Sequence, residues 1–188
     1  MPMPRVSDKR ERLLAAARTL IHRQGFRPTT LADIAKTSGI PLGNIYYYFK
    51  TKDDLGAAVI EGRTAEFRDL FDEWDRTLPD PRRRLAAFID FVEAHREELA
   101  RHGCPVGSLC QELDKETAPL AKKADGVLQQ QVDWAIGQFR TLGRGDAEGL
   151  GAYFVAMLQG ITLVAHARRD PEMLKRQAVR LRAWLEQA

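Results

Sequence analysis

Hydrophobic positions recur at helical spacing along nearly the whole chain. Leu13, Ala17, Leu20 and Ile21 mark a first helix that Ser7 can cap and Gly25 ends. Leu31, Ile34 and Ala35 form a short stripe that Gly39 stops; Thr30 can cap it, with Asp33 placed three residues on to return the bond. After the Ile40-Pro41 corner, Ile45 and Phe49 face inward four residues apart, and Thr51 with Asp54 repeats the capping pair. A longer helix carrying Leu55, Val59, Phe67, Leu70 and Phe71 runs from about residue 51 to 74, until Pro79 and Pro81 break it.

Residues 82–101 resume with Leu85, Phe88, Ile89, Val92 and Leu99 on one face, predicting a single helix. A corner at residues 102–105 leads into Val106, Leu109, Cys110 and Leu113. Residues 117–142 follow as one helix with Leu120, Val127, Leu128, Val132, Ile136 and Phe139 apolar. Two last helices, 147–168 and 171–187, carry Asp146 and Asp170 at capping positions and Pro171 at a first helical position. No segment alternates with a period of two and no internal repeat is visible. The pattern predicts an all-α protein of nine or ten helices.

One stretch has a more specific shape. Residues 29–52 read as a helix, a tight Gly-containing turn and a second short helix, the pattern of a helix-turn-helix. With Gly25-Phe26, Thr29-Thr30, Ile34-Ala35, Ser38-Gly39-Ile40, Gly43 and the run from Ile45 through Tyr46, Tyr47, Tyr48, Phe49, Lys50 and Thr51 to Lys52, the segment resembles the DNA-binding domain of the TetR family of bacterial transcriptional regulators. The resemblance covers about the first third of the chain; the rest matches the family in length and helical layout. It implies a DNA-binding domain at residues 1–52 and an effector-binding and dimerisation domain at 53–188.

Charge agrees with that division. Of 188 residues, 44% are hydrophobic and 29% charged, as in ordinary globular proteins, and the net charge is +3. Residues 1–52 hold ten Lys/Arg against three Asp/Glu, a net of +7, which leaves –4 for the remainder. The positive charge sits with the helix-turn-helix, where phosphates would use it. Arg5, Lys9, Arg10 and Arg12 could reach the phosphate backbone. No apolar run approaches the length of a membrane span and the N-terminus has no apolar signal core, so a cytoplasmic location without membrane contact is expected. Two cysteines argue against a disulfide framework.

At the start of the second short helix, Asn44 can pair with adenine or reach a phosphate, Leu42 can touch a thymine methyl, and Gly43 permits close approach. At about 100° per residue the three tyrosines fan around the helix, so at least one faces water or phosphate. The family pattern implies phosphate contacts from Tyr46, Tyr48 and Lys52, with Tyr47 turned inward; Thr30 can donate to phosphate as well as cap, and Thr29 is counted with the DNA-binding residues. A homodimer then fits a palindromic operator.

For the body, the resemblance implies dimerisation and a small-molecule effector. Gly149, Ala152, Ala156 and Gly160 allow close helix approach, with Gly151 beside them. Phe154, Met157, Ile161 and Val164, and on the last helix Leu174, Leu181, Trp184 and Leu185, supply area for a four-helix interface. Phe67, Trp74, Phe88, Val92, Leu109, Cys110 and Trp134 are the apolar candidates for an effector pocket. Cys104 joins them: residues 102–109 resemble a Gly-Cys-centred segment of family members that respond to electrophiles, acrylate-like acids or flavonoids. A Cys104 thiol lining the pocket is favoured over a Cys104–Cys110 disulfide, because the two lie far apart along a helix.

An enzyme would need a convergent nucleophile, base or metal cluster. His22, His95, His102 and His166 match no HExxH motif, and His95, His102, Cys104 and Cys110 match no strong zinc spacing. No cofactor is expected. A constitutive or architectural DNA binder without a ligand is the alternative to a ligand-responsive repressor.

Overall fold

The computed structural model describes residues 6–113 and 118–188; Pro2, Pro4, Arg5, the Ser7 side-chain cap and the start of the 117–142 helix at Thr117 lie outside them. Among the described residues there are ten helices and no strand: α1 (Val6–Gln24), α2 (Leu31–Ser38), α3 (Leu42–Tyr48), α4 (Lys52–Thr77), α5 (Pro81–Ala94), α6 (Arg96–His102), α7 (Pro105–Leu113), α8 (Ala118–Thr141), α9 (Ala147–Arg168) and α10 (Pro171–Gln187). The helix boundaries follow local chemistry. Thr30 and Asp33 form a reciprocal capping box at α2, and Thr51 and Asp54 form the same box at α4. Gly39 closes α2 in the left-handed conformation at φ 67°. Asp80, Asp146 and Asp170 accept the first free N–H groups of α5, α9 and α10.

The single helix expected over residues 82–101 is in fact two. The chain turns at His95, which ends α5 and precedes α6 at φ –97°, ψ 13°. Neither glycine nor proline marks the break. The His95 ring caps it instead, Nδ1 donating to the Phe91 carbonyl at 2.7 Å.

Two buried clusters hold the molecule. The first joins Leu13, Ala17 and Ile21 of α1, Phe26, Ile34, Ile45 and Phe49, and continues through Leu55 and Val59 into Val106, Leu109, Leu113 and Leu120. The head is therefore built on the body rather than hung from it. Gly56 shows how closely: a methyl group there would lie 2.7 Å from the Phe26 ring. The second cluster lies within α4, α5, α6, α8, α9 and α10, around Phe71, Phe88, Phe139, Phe154, Leu174 and Leu185.

The expectation that no apolar run reaches membrane-span length is corrected by α9. Its 22 residues have a mean hydropathy of 1.5 over the best window, enough by length and composition to span. Here one face of α9 packs against α6, α8 and α10.

Candidate DNA interface and effector cavity

In the head, Ile45 is fully buried, which rotates the rest of α3 outward. Leu42, Gly43, Asn44 and Tyr46 are exposed. Pro41 at the N-cap has no side-chain acceptor, so the first turn of α3 is not closed by a capping side chain. The tyrosines depart from the expected arrangement. Tyr47 is 73% exposed and points outward, whereas Tyr48 is half-buried against the head core. Three residues with helical geometry cannot share one face, and with Ile45 inward it is Tyr48, at i+3, that returns to the core side.

Other expected phosphate contacts are occupied inside the protein. Thr29 is buried and its hydroxyl donates to the Gly25 carbonyl at 2.6 Å. Arg12 donates to the Ser38 carbonyl at 2.6 Å and so fastens the end of α2 to α1. The Lys52 ammonium donates to the Arg27 carbonyl at 2.7 Å and lies 4.5 Å from the Phe26 ring centre; burial pushes its pKa down. These three bonds tie together α1, the end of α2, the corner between them and the start of α4. Thr30 remains at the surface as the α2 cap, and Asp33, which accepts from its hydroxyl and N–H, is held below the usual carboxylate range by those bonds. Lys36 and Lys50 are exposed on the head as well, and sequence reasoning had not singled them out.

The body holds a partly open cavity of about 290 Å³. Phe67, Phe88, Val92 and Cys104 line it, together with Phe91, Leu99, Val106 and Leu158. Its polar lining comes from six elements or corners: His22 of α1, Arg63 of α4, His95, Glu98 of α6, Gln131 of α8, and Gln159 and Thr162 of α9. Trp74, Trp134, Leu109 and Cys110 are placed elsewhere. Trp134 stacks on Phe71 at 4.3 Å and donates its indole N–H to Asp75, which turns it away from the cavity. Trp74 packs beside it, behind Phe88 and Phe91. Leu109 and Cys110 belong to the packing under the head. Cys104 also lines a smaller cavity of about 140 Å³ with Gly107, Gln159 and His166, and its sulfur accepts the Gly107 N–H at 3.4 Å. Both cysteines are free thiols.

His22 is the polar group that connects the two regions. It stands on α1 of the head, lines the body cavity, and bonds through Nε2 to the Gly103 carbonyl at 2.9 Å. A carbonyl can only accept, so Nε2 carries the proton. Burial lowers the pKa of His22, and Arg63 and His102 add to the effect, while the Gly103 bond and Glu98 oppose it. A second connection lies nearby. The Glu112 carboxylate at the end of α7 accepts the backbone N–H groups of Phe26 at 2.7 Å and Arg27 at 2.6 Å, at the corner between α1 and α2.

On α9, the residues expected at a dimer interface divide by face. Gly149, Ala152, Ala156, Gly160 and Val164 are exposed, with Tyr153 and Leu163 among them, and Met157 is half-buried. Phe154, Ile161, Leu174, Leu181 and Leu185 are instead core residues of the subunit, and Gly151 is buried against α8. Trp184 is half-buried beside Tyr153 and Phe139.

A helix-turn-helix head on a helical body with a cavity defines a class of DNA-binding transcription regulators. Residues 13–59 match the family model of bacterial regulatory proteins, tetR family, and residues 81–179 match that of the LmrA/YxaF-like transcriptional regulator C-terminal domain. The second match spans more than half of the chain, and the chain belongs to the TetR family, as a regulator and not an enzyme. It is 26% identical to the HTH-type transcriptional regulator LmrA of Bacillus subtilis, over 90% of this chain and 98% of that one. It is 34% identical to the transcriptional regulator AcuR of Cereibacter sphaeroides, over 58% of this chain and 51% of that one. Among solved structures, a TetR-family regulator from Agrobacterium tumefaciens superposes with a TM-score of 0.86 at 25% identity, covering 96% of this chain and 97% of that one.

Proposed function

We propose that the protein is a ligand-responsive repressor that binds a palindromic operator as a homodimer and is released by a small molecule in the body cavity. The observation that carries this reading is the position of His22, one side chain that is at once part of the DNA-binding head and of the cavity wall. Whatever fills the cavity presses on the helix that backs α2 and α3. Leu42, Asn44, Tyr46 and Tyr47 form the reading face, with Thr30, Lys36 and Lys50 placed for phosphates. Dimerisation through the outer face of α9 is supported by its exposed run of small and apolar side chains, which a single subunit leaves in water.

The test begins with selection of bound duplexes from a random-sequence pool, followed by anisotropy titrations over a salt series. The winning sequences should be palindromic. Asn44→Ala should change the ranking of operator variants, whereas Lys50→Ala should weaken all of them alike and lower the salt slope by about one. Non-palindromic winners, or identical behaviour of the two variants, would defeat the reading. A protein whose operator affinity no small molecule alters would be the constitutive binder.

A further inference from the structure

We propose that the body cavity and the smaller cavity beside it are two chambers of one ligand site, divided by a movable Gln159 side chain, and that this site takes a molecule with a flat apolar body and a neutral, hydroxyl-bearing tail. This rests on the reading of the cavity as the effector site and adds the shape and chemistry it selects.

Among the described residues, only Cys104 and Gln159 line both chambers. They meet over the first turn of α7: a methyl group on Gly107 would lie 2.7 Å from Gln159 Oε1 and 3.8 Å from Cys104 Sγ. The missing side chain at Gly107 lets the amide lie across that turn. The two lining groups are held differently. The Cys104 sulfur accepts the Gly107 N–H at 3.4 Å, whereas the half-buried Gln159 amide has no hydrogen bond among the described residues. The torsion that carries the amide is broad. Gln159 can therefore swing aside without breaking a bond, joining the chamber of about 290 Å³ to that of about 140 Å³.

The two linings differ in chemistry. Phe67, Phe88 and Phe91 give the larger chamber a linked aromatic wall, with ring centres 6.2 Å and 6.4 Å from Phe67. An apolar cavity of about 150 Å³ holds benzene, so the larger chamber has room for two fused rings. No Lys, Arg, Asp or Glu lines the smaller chamber among the described residues. Its Ser108, Gln111 and Gln159 side chains are unbonded there, and His166 is engaged through Nδ1 with the Ala100 carbonyl at 3.3 Å. A hydroxyl finds donors and acceptors in such a lining, while a carboxylate would leave water without meeting a Lys or Arg. Gly160 and Leu163 belong to the same chamber, so the tail ends beneath the α9 face proposed for the second subunit.

Fluorescence titration of the full-length protein, without DNA, tests this with 2-methoxynaphthalene, 2-(2-naphthyloxy)ethanol, 2-naphthyloxyacetate and 3-(2-naphthyloxy)propane-1,2-diol. The alcohol should bind about fourfold or more tighter than the methoxy compound, the gain from one further buried methylene, and tighter than the acid. Ser108→Leu fills the smaller chamber from α7, and Ser108 has no part in the larger one. It should erase the advantage of the alcohol while 2-methoxynaphthalene keeps its affinity; Ser108→Met serves the same purpose if leucine disturbs folding. Gln159→Ala removes the partition and should raise the affinity of the bulkier diol relative to the alcohol. Equal binding of the alcohol and the methoxy compound, tighter binding of the acid, an advantage that survives both Ser108 substitutions, a diol-to-alcohol ratio unmoved by Gln159→Ala, or no binding of any probe up to millimolar concentration would each overturn the assignment. Operator anisotropy with the same alcohol is scored separately. Tail-dependent binding that leaves operator affinity unchanged upholds the two-chamber site and defeats the effector reading instead.

Discussion

A methyl group on Gly151 would lie 2.5 Å from Ile136 Cγ1 and 2.7 Å from the Ile136 backbone nitrogen, distances that only movement of a whole helix could relieve. The same substitution at Gly160, on the opposite face of α9, meets nothing within 4 Å. These two glycines look alike in the sequence but do different work, one closing the contact between α8 and α9 and the other keeping an outer face shallow. Gly151→Ala should therefore lose about 1–3 kcal/mol of stability by overpacking, with a lower Tm. Gly160→Ala should hold or slightly raise the Tm of the subunit, because alanine favours the helix. Thermal melts of the pair, recorded under conditions where both variants have the same oligomeric state, check this directly.

At the scale of elements, α7 holds the head in place. Its terminal Glu112 accepts two backbone N–H groups from the corner between α1 and α2, so the carboxylate acts as a staple from body to head. Glu112→Gln keeps the shape but leaves only one acceptor oxygen. Amide exchange at Phe26 and Arg27 should then quicken about tenfold, the loss of roughly one such bond, while α9 amides stay unchanged; equal protection in both proteins would show that packing alone holds the corner.

The elements differ in how plainly the sequence announces them. Thr30 with Asp33, Thr51 with Asp54, and Asp170 before Pro171 are local signals, and the helix starts follow them. His95 breaks a helix by a side-chain bond that no composition rule flags. The cavity was half legible. Phe67, Phe88, Val92 and Cys104 could be named from apolarity, but apolarity does not tell a cavity wall from the stack that holds Trp134 against Phe71. Gln131 did leave a trace: it takes the place between Val127 and Ala135 where the stripe of α8 calls for an apolar residue. Charge alone could not show that nearby carbonyls accept hydrogen bonds from Arg12 and Lys52.

For the whole molecule, the proposed assembly rests on the outer face of α9. Ala152, Ala156, Gly160 and Val164 repeat every four residues on that face, flanked by Tyr153 and Leu163, an arrangement suited to close packing against a symmetry mate. Ala156→Glu should place an unpaired carboxylate there and convert the dimer to monomers in sedimentation velocity at low micromolar concentration. Its subunit melting should remain close to that of the unaltered monomer, since Ala156 faces outward; a variant that stays dimeric would move the interface to another surface. The longest-reaching consequence comes from α4, which begins at the capping box of the head and passes the cavity at Arg63 and Phe67. Its 26 residues make a lever of about 39 Å. Turned by about 5° about its far end, that lever carries Lys52 through about 3.4 Å, the step from one base pair to the next. In the dimer proposed above, the same tilt mirrored by the second subunit would shift the two reading helices by about two base-pair steps relative to each other, so that the grooves they match no longer lie beneath both at once.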